Sequence, residues 1–229
     1  MIFLNQEKIP IIVEIGVNHE GNLDSALKMM DLASKAGAKI VKFQSYTPSR
    51  YTSADNSERL QRVEKFAFNL EHFASLKKEA ENIGLQMLST PLTEDWVKKL
   101  SPLCPAFKIA SGDITFKPVI EKAAATGKEL IISTGTGTIE EIDQAVLWVK
   151  NIVGEHQLKE RLILMHCVSA YPTPIEQANI RSIPFLKERY GLRVGYSNHV
   201  IGSSACLAAI ALGADIIEIH FTDQKEDRE

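Results

Sequence analysis

Two apolar runs near the end of the chain finish in histidine: RVGYSNH closes at His199, and IIEIHF carries His220. Strand side chains alternate faces with period two, so Ser197 shares a face with His199, and Glu218 shares one with His220. Imidazoles at the ends of neighbouring strands, about 4.8 Å apart, can reach one divalent cation. Two lysines are placed comparably. Lys42 and Gln44 share a face of IVKFQ opposite Val41 and Phe43, and Lys108 lies within AFKIAS. Glu14 adds a carboxylate in IIVEIGVN and shares its face with Asn18 if the strand persists that far. Ammonium groups act strongly on anions in a low-dielectric cleft, and carboxylates can move protons. Burying such groups without partners or a ligand is costly.

These positions require strands with one face packed on helices and the other lining a site, because strands of an all-parallel sheet otherwise read as unbroken apolar runs. Eight runs fit: IIVEIG (11–16), IVKFQ (40–44), QMLST (86–90), AFKIAS (106–111), ELIIST (129–134), LILMHC (162–167), RVGYSN (193–198) and IIEIHF (216–221). Helical spacing separates them, as in LDSALKMMDLASKAGA with Leu27, Met30, Leu32 and Ala33. Thr138 and Glu141 form a capping box, and Gly37, Gly84, Gly127, Gly191 and Gly213 fall where helices should stop. Eight βα repeats predict an α/β fold, a TIM (β/α)8 barrel with its site at the C-terminal strand ends. A doubly wound open sheet is the alternative.

The 229 residues, 45% hydrophobic, suffice for one core, and no linker composition divides residues 1–229. With 26 basic and 29 acidic residues the net charge is -3, which disfavours nucleic acid as a partner and leaves any anion to local lysines. Cys104, Cys167 and Cys206 lack metal-like spacing and suit a reducing cytoplasm. No run is long enough to span a membrane, and Glu7 and Lys8 interrupt any signal-peptide core. The irregular stretch 46–65 holds Tyr46, Arg50, Tyr51, Asn56 and Arg59, which could cover a polar substrate; a solvated insertion with a short helix in SERLQRVEKF is the other reading. GTGTIEE has Glu140 where a dinucleotide fingerprint needs its third glycine, which argues against a Rossmann site.

Eight short motifs, in order, resemble the sialic acid (N-acetylneuraminate) synthase family, which includes legionaminic and pseudaminic acid synthases. They are EIGVNHEG, VKFQ, STP, KIASGD, STGT, HCVSAYPTP, GYSNH and GADIIEIHFT, each near a predicted strand end. The resemblance implies condensation of phosphoenolpyruvate with the aldehyde of an N-acylated amino sugar, giving a nine-carbon 2-keto sugar acid and phosphate. It implies a divalent metal, manganese or magnesium, on His199 and His220; Glu218, on the same face as His220, could either orient a ligand or form a structural salt bridge. It assigns phosphoenolpyruvate to Lys42, Thr90, Lys108, Ser111, Ser133 and Ser197, and the sugar to Gln44 and Tyr171. Glu14 and Asp113 become the candidates for proton transfer. His166, read as inward-pointing, and His19, near the mouth, match no metal position.

Asp113 stands where the family often has glutamate, Asn198 and Val200 where aspartate and threonine are common, and Thr136 where methionine is usual. The sequence stops at TDQKEDRE, before the family's eighth barrel helix and its small antifreeze-like domain. In the family's homodimer that domain lends an arginine to the partner's barrel, and the segment before it supplies a sugar-site aspartate. The expectation is a C-terminally incomplete barrel with reduced cover over Ile11, Val13, Ile217, Ile219 and Phe221. Another metal-dependent phosphoenolpyruvate or sugar-phosphate condensing synthase, or a non-catalytic barrel that only binds ligand, remains open.

Overall fold

The computed structural model describes residues 2–3 and 8–224. Strands β1 (Ile11–Gly16), β2 (Ile40–Ser45), β3 (Gln86–Pro91), β4 (Ala106–Ile109), β5 (Glu129–Ser133), β6 (Leu162–His166), β7 (Arg193–Asn198) and β8 (Ile217–His220) close into one barrel in chain order. Every strand pair is parallel, including β1 with β8. This excludes the open sheet.

Helices α1 (Leu23–Lys35), α2 (Pro48–Tyr51), α3 (Ser57–Phe66), α4 (Leu70–Asn82) and α5 (Glu94–Leu100) belong to the first half of the chain. Helices α6 (Lys117–Ala125), α7 (Ile139–Val153), α8 (Glu155–Arg161), α9 (Ser182–Tyr190) and α10 (Ser204–Ala211) belong to the second. Helix α7 starts at the expected capping box, in which the Thr138 hydroxyl accepts from the Glu141 amide and the Glu141 carboxylate accepts from the Thr138 amide. The stretch 46–65 is more ordered than its composition suggested, since α2 and most of α3 lie in it. It is clamped to the β1–α1 loop, where Gly21 passes so close to α3 that a β-carbon would lie 2.0 Å from the Lys65 carbonyl oxygen.

Alternation sorts the strand residues into two layers. Val13, Val41, Phe43, Met87, Phe107, Ile132, Leu164, Val194 and Ile217 face outward and form the main core with the helices. Ile12, Ile40, Leu88, Ala106, Ile131, Ile163, Met165 and Ile216 fill the lower barrel, joined by Phe3 from the chain start. The Ile2 and Phe3 amides donate to the Glu129 carboxylate, which also pairs with Arg193 at 3.1 Å.

Two sequence expectations are corrected. His166 shares the outward face of β6 with Leu162 and Leu164, bonds the Ala178 carbonyl at 2.8 Å through Nε2 and stacks on Tyr196. Period two from Ile163 and Met165 requires this placement. Asn18 does not continue the inward face of β1, because the strand ends at Gly16 with φ +57°, and the Asn18 amide donates to the Phe221 carbonyl.

Among the described residues no helix follows β8, and none is long and apolar enough to cross a membrane. Val13 and Ile217 are nonetheless buried, Ile219 and Phe221 are partly covered, and Ile11 is 47% exposed. The expected end at TDQKEDRE falls mostly on residues 225–229, outside the described residues.

Candidate active site

Above the apolar floor, the inward positions turn ionic. Glu14, Lys42, Lys108 and Glu218 are only 2–4% exposed. Lys42 Nζ lies 2.6 Å from Glu14 Oε2 and 3.6 Å from Glu218 Oε2, and it donates to Thr90 Oγ1 at 3.0 Å. Lys108 Nζ lies 3.2 Å from Glu218 Oε1, which also accepts from the Ser197 hydroxyl at 2.8 Å. Gln44 Nε2 reaches Glu14 Oε1 at 3.4 Å. Six strands thus converge on one cluster.

Burial opposes the Lys42 charge, but the carboxylates of Glu14 and Glu218 overcome it and raise the lysine pKa above its ordinary value. Burial also opposes the Glu218 charge, and Lys108, Lys42 and Ser197 outweigh it, lowering its pKa to about 2. Both groups are ionised at neutral pH.

The other predicted residues sit around this cluster. Ser133 Oγ is buried without a hydrogen-bond partner. Ser111 lies in a tight 3-10 turn, Ser111–Asp113, with its hydroxyl 2.9 Å from that of Ser169. Burial raises the Asp113 pKa to about 6. No hydrogen bond among the described residues links Ser111, Asp113, Ser133 or Tyr171 to the four charges. Neither Ser169 nor the Val168 carbonyl, both within HCVSAYPTP, was among the residues expected at the site.

His199 and His220 meet at the rim with ring centroids 5.2 Å apart, and Tyr171 packs 4.1 Å from the His199 ring. His199 Nδ1 contacts the Val168 carbonyl at 2.5 Å. A carbonyl only accepts, so Nδ1 carries the hydrogen and Nε2 keeps its lone pair. Burial, opposed by that backbone bond and aided by His220, lowers the His199 pKa and favours the neutral ring that can ligate. Among the described residues no group of three or more His, Cys, Asp or Glu gathers for a metal. The free Nε2 lone pair of His199 suits a cation, of which these two rings would leave most positions to water and substrate. A cavity of about 590 Å³ opens beside the pair, lined also by Tyr171, Pro172, Val200, Ile201 and Ile219.

A closed (β/α)8 barrel with ionised side chains gathered at the C-terminal ends of its strands has the architecture of a barrel enzyme, because catalytic groups in this fold come from those ends. Comparison with known proteins narrows the class. The NeuB family matches over residues 29–229, and the chain belongs to that family. It is 44% identical to an uncharacterised protein of Methanocaldococcus jannaschii over 94% of this chain and 62% of that protein. It is 36% identical to N,N'-diacetyllegionaminic acid synthase of Campylobacter jejuni over 96% of this chain and 69% of the synthase. Among solved structures, N-acetylneuraminic acid synthetase from Leptospira borgpetersenii in complex with citrate superposes with TM-score 0.88 at 36% identity, over 95% of this chain and 74% of that one. The chain thus spans 62% of the length of the archaeal relative.

Proposed function

We propose that this chain is the barrel of a synthase that condenses phosphoenolpyruvate with the open-chain aldehyde of an N-acylated amino sugar, yielding a nine-carbon 2-keto sugar acid and phosphate. The supporting observation is the cluster of Lys42, Lys108, Glu14 and Glu218 buried beneath the His199 and His220 rim. Two buried ammonium groups suit a substrate carrying both a carboxylate and a phosphate. Thr90, Ser111, Ser133 and Ser197 supply hydroxyls around them.

A carbon–carbon bond forms between the enol carbon of phosphoenolpyruvate and the aldehyde carbon. Water then adds at the carbon bearing the phosphate ester, phosphate departs, and the keto group remains. Glu14 accepts the proton of that water, held in place by Lys42 and Gln44. Asp113, whose pKa of about 6 lets it exchange a proton near neutrality, donates the proton that turns the aldehyde oxygen into the new hydroxyl. Gln44 and Tyr171 contact the sugar. His199 and His220 would hold the divalent cation, manganese or magnesium, whose chemistry when bound is Lewis-acid polarisation of a carbonyl. The three cysteines are free and buried, in keeping with a cytoplasmic enzyme, which we expect to be a homodimer. Phosphate release from phosphoenolpyruvate, measured with a panel of amino sugars with and without manganese, tests this reading. Release dependent on an unphosphorylated acylated amino sugar supports it; release only with a phosphorylated sugar, or none, contradicts it.

A further inference from the structure

Glu218 touches both of the buried lysines. One carboxylate oxygen takes Ser197 at 2.8 Å and Lys108 at 3.2 Å. The other lies 3.6 Å from Lys42 and has no hydrogen bond. The carboxylate thus stands between two ammonium groups that arrive from β2 and β4, whereas its own strand adjoins β1 and β7. The buried cluster balances: Lys42 and Lys108 are matched by Glu14 and Glu218.

That balance bears on anion binding. A pair of lysines without counter-charges would hold a phosphate tightly in a low-dielectric site, but leaving both ammonium groups unpaired in the empty barrel would be costly. An anion entering this site must share the lysines with a carboxylate already seated between them. A glutamine could accept the same hydrogen bonds from Ser197 and Lys108 without competing for the charge.

Resting on the condensation reading, we propose that Glu218 is a positioning residue that acts as an internal counter-anion. It holds the Lys42 and Lys108 ammonium groups in place while the site is empty, and it competes for them with the substrate's anionic groups. Its like charge weakens the hold on the phosphate product and speeds its release. No bond is made or broken at Glu218 itself.

Calorimetric titration with inorganic phosphate alone, and with phosphoenolpyruvate alone, tests this on the wild type, Glu218→Gln and Glu218→Asp. Glu218→Gln should bind phosphate about tenfold more tightly, the size expected for removing one nearby like charge from a partly screened site. Glu218→Asp keeps the charge but withdraws it by one methylene, and should fall between. In steady state Glu218→Gln should lower both KM for phosphoenolpyruvate and kcat, with stronger inhibition by phosphate.

Phosphate binding that is unchanged or weaker in folded Glu218→Gln overturns the proposal; weakening is what a residue that only orients the lysines would give. Melting temperature with and without phosphate reads the folded state. Without anion the Gln variant should melt lower, and its phosphate-induced rise should exceed that of the wild type. If Glu218→Gln fails to fold, the Asp variant decides: no tightening overturns the proposal. A wild type that binds phosphoenolpyruvate, with a Gln variant that does not tighten, sinks this inference alone. Absence of binding in all three proteins sinks the condensation reading as well.

Discussion

The Glu14 carboxylate folds back over Gly16, so that a β-carbon on Gly16 would lie 3.1 Å from Glu14 Oε1 and 3.4 Å from Gln44 Nε2. Gly16 also has φ +57°, where an L side chain costs about 1 kcal/mol or more. Gly16→Ala should therefore destabilise the barrel by roughly 1–2 kcal/mol and displace Glu14 from Lys42. Urea unfolding measures the first effect and phosphate release the second. Retained turnover in a destabilised variant would separate Glu14 from the chemistry.

The two lysines should respond differently to removal. Lys42 pairs with both carboxylates and Thr90, whereas Lys108 pairs with Glu218, which keeps Lys42 nearby. Lys42→Met leaves Glu14 buried without its cation and should cost about 3 kcal/mol, with Lys108→Met costing less. Both should weaken phosphoenolpyruvate binding about tenfold or more while sparing sugar binding. Denaturant midpoints and calorimetry check the ranking, and equal midpoints would argue against it.

Much of this was readable in the sequence because period two is rigid. Once Ile217 and Ile219 face the helices, Glu218 and His220 must face the barrel. The same rule assigns His166 outward, and its polarity was the misleading cue: an outward polar group is tolerated where the Ala178 carbonyl satisfies it. Asn18 was lost to the positive φ of Gly16, a backbone property that residue type does not announce. The partners of Glu218 were not legible, since Lys108 lies 110 positions away and only barrel closure brings them together.

Replacing His199 and His220 together with Ala should abolish stoichiometric manganese binding without unfolding the barrel. Both lie at the rim, His220 exposed and His199 half-buried, away from the main core. Metal content after dialysis, read alongside far-UV circular dichroism, gives the answer. Undiminished metal in a folded double variant would rule these ligands out.

His19 gives the fold a defined acid sensitivity. It stacks on Phe68 at 3.8 Å, accepts from the Gly21 amide, and burial lowers its pKa from 6.5 to about 4. Above pH 6.5 the ring is neutral in both folded and unfolded chains, so its contribution is intact. As pH falls from 6.5 toward 4 only the unfolded chain takes the proton, and stability drops by up to about 3 kcal/mol. His19→Gln should flatten that part of the stability profile in urea melts between pH 7 and pH 4. An unchanged slope would assign the sensitivity elsewhere.

Phe3 and the Glu129–Arg193 pair close the lower end of the barrel. Among the described residues the doorway to the lysines lies at the rim. The lysines, 3–4% exposed, lie beneath a rim where Tyr171 is 66% exposed. For the proposed reaction this imposes a queue: phosphoenolpyruvate must enter before the sugar shuts the doorway above it, and phosphate cannot leave until the sugar acid has moved aside.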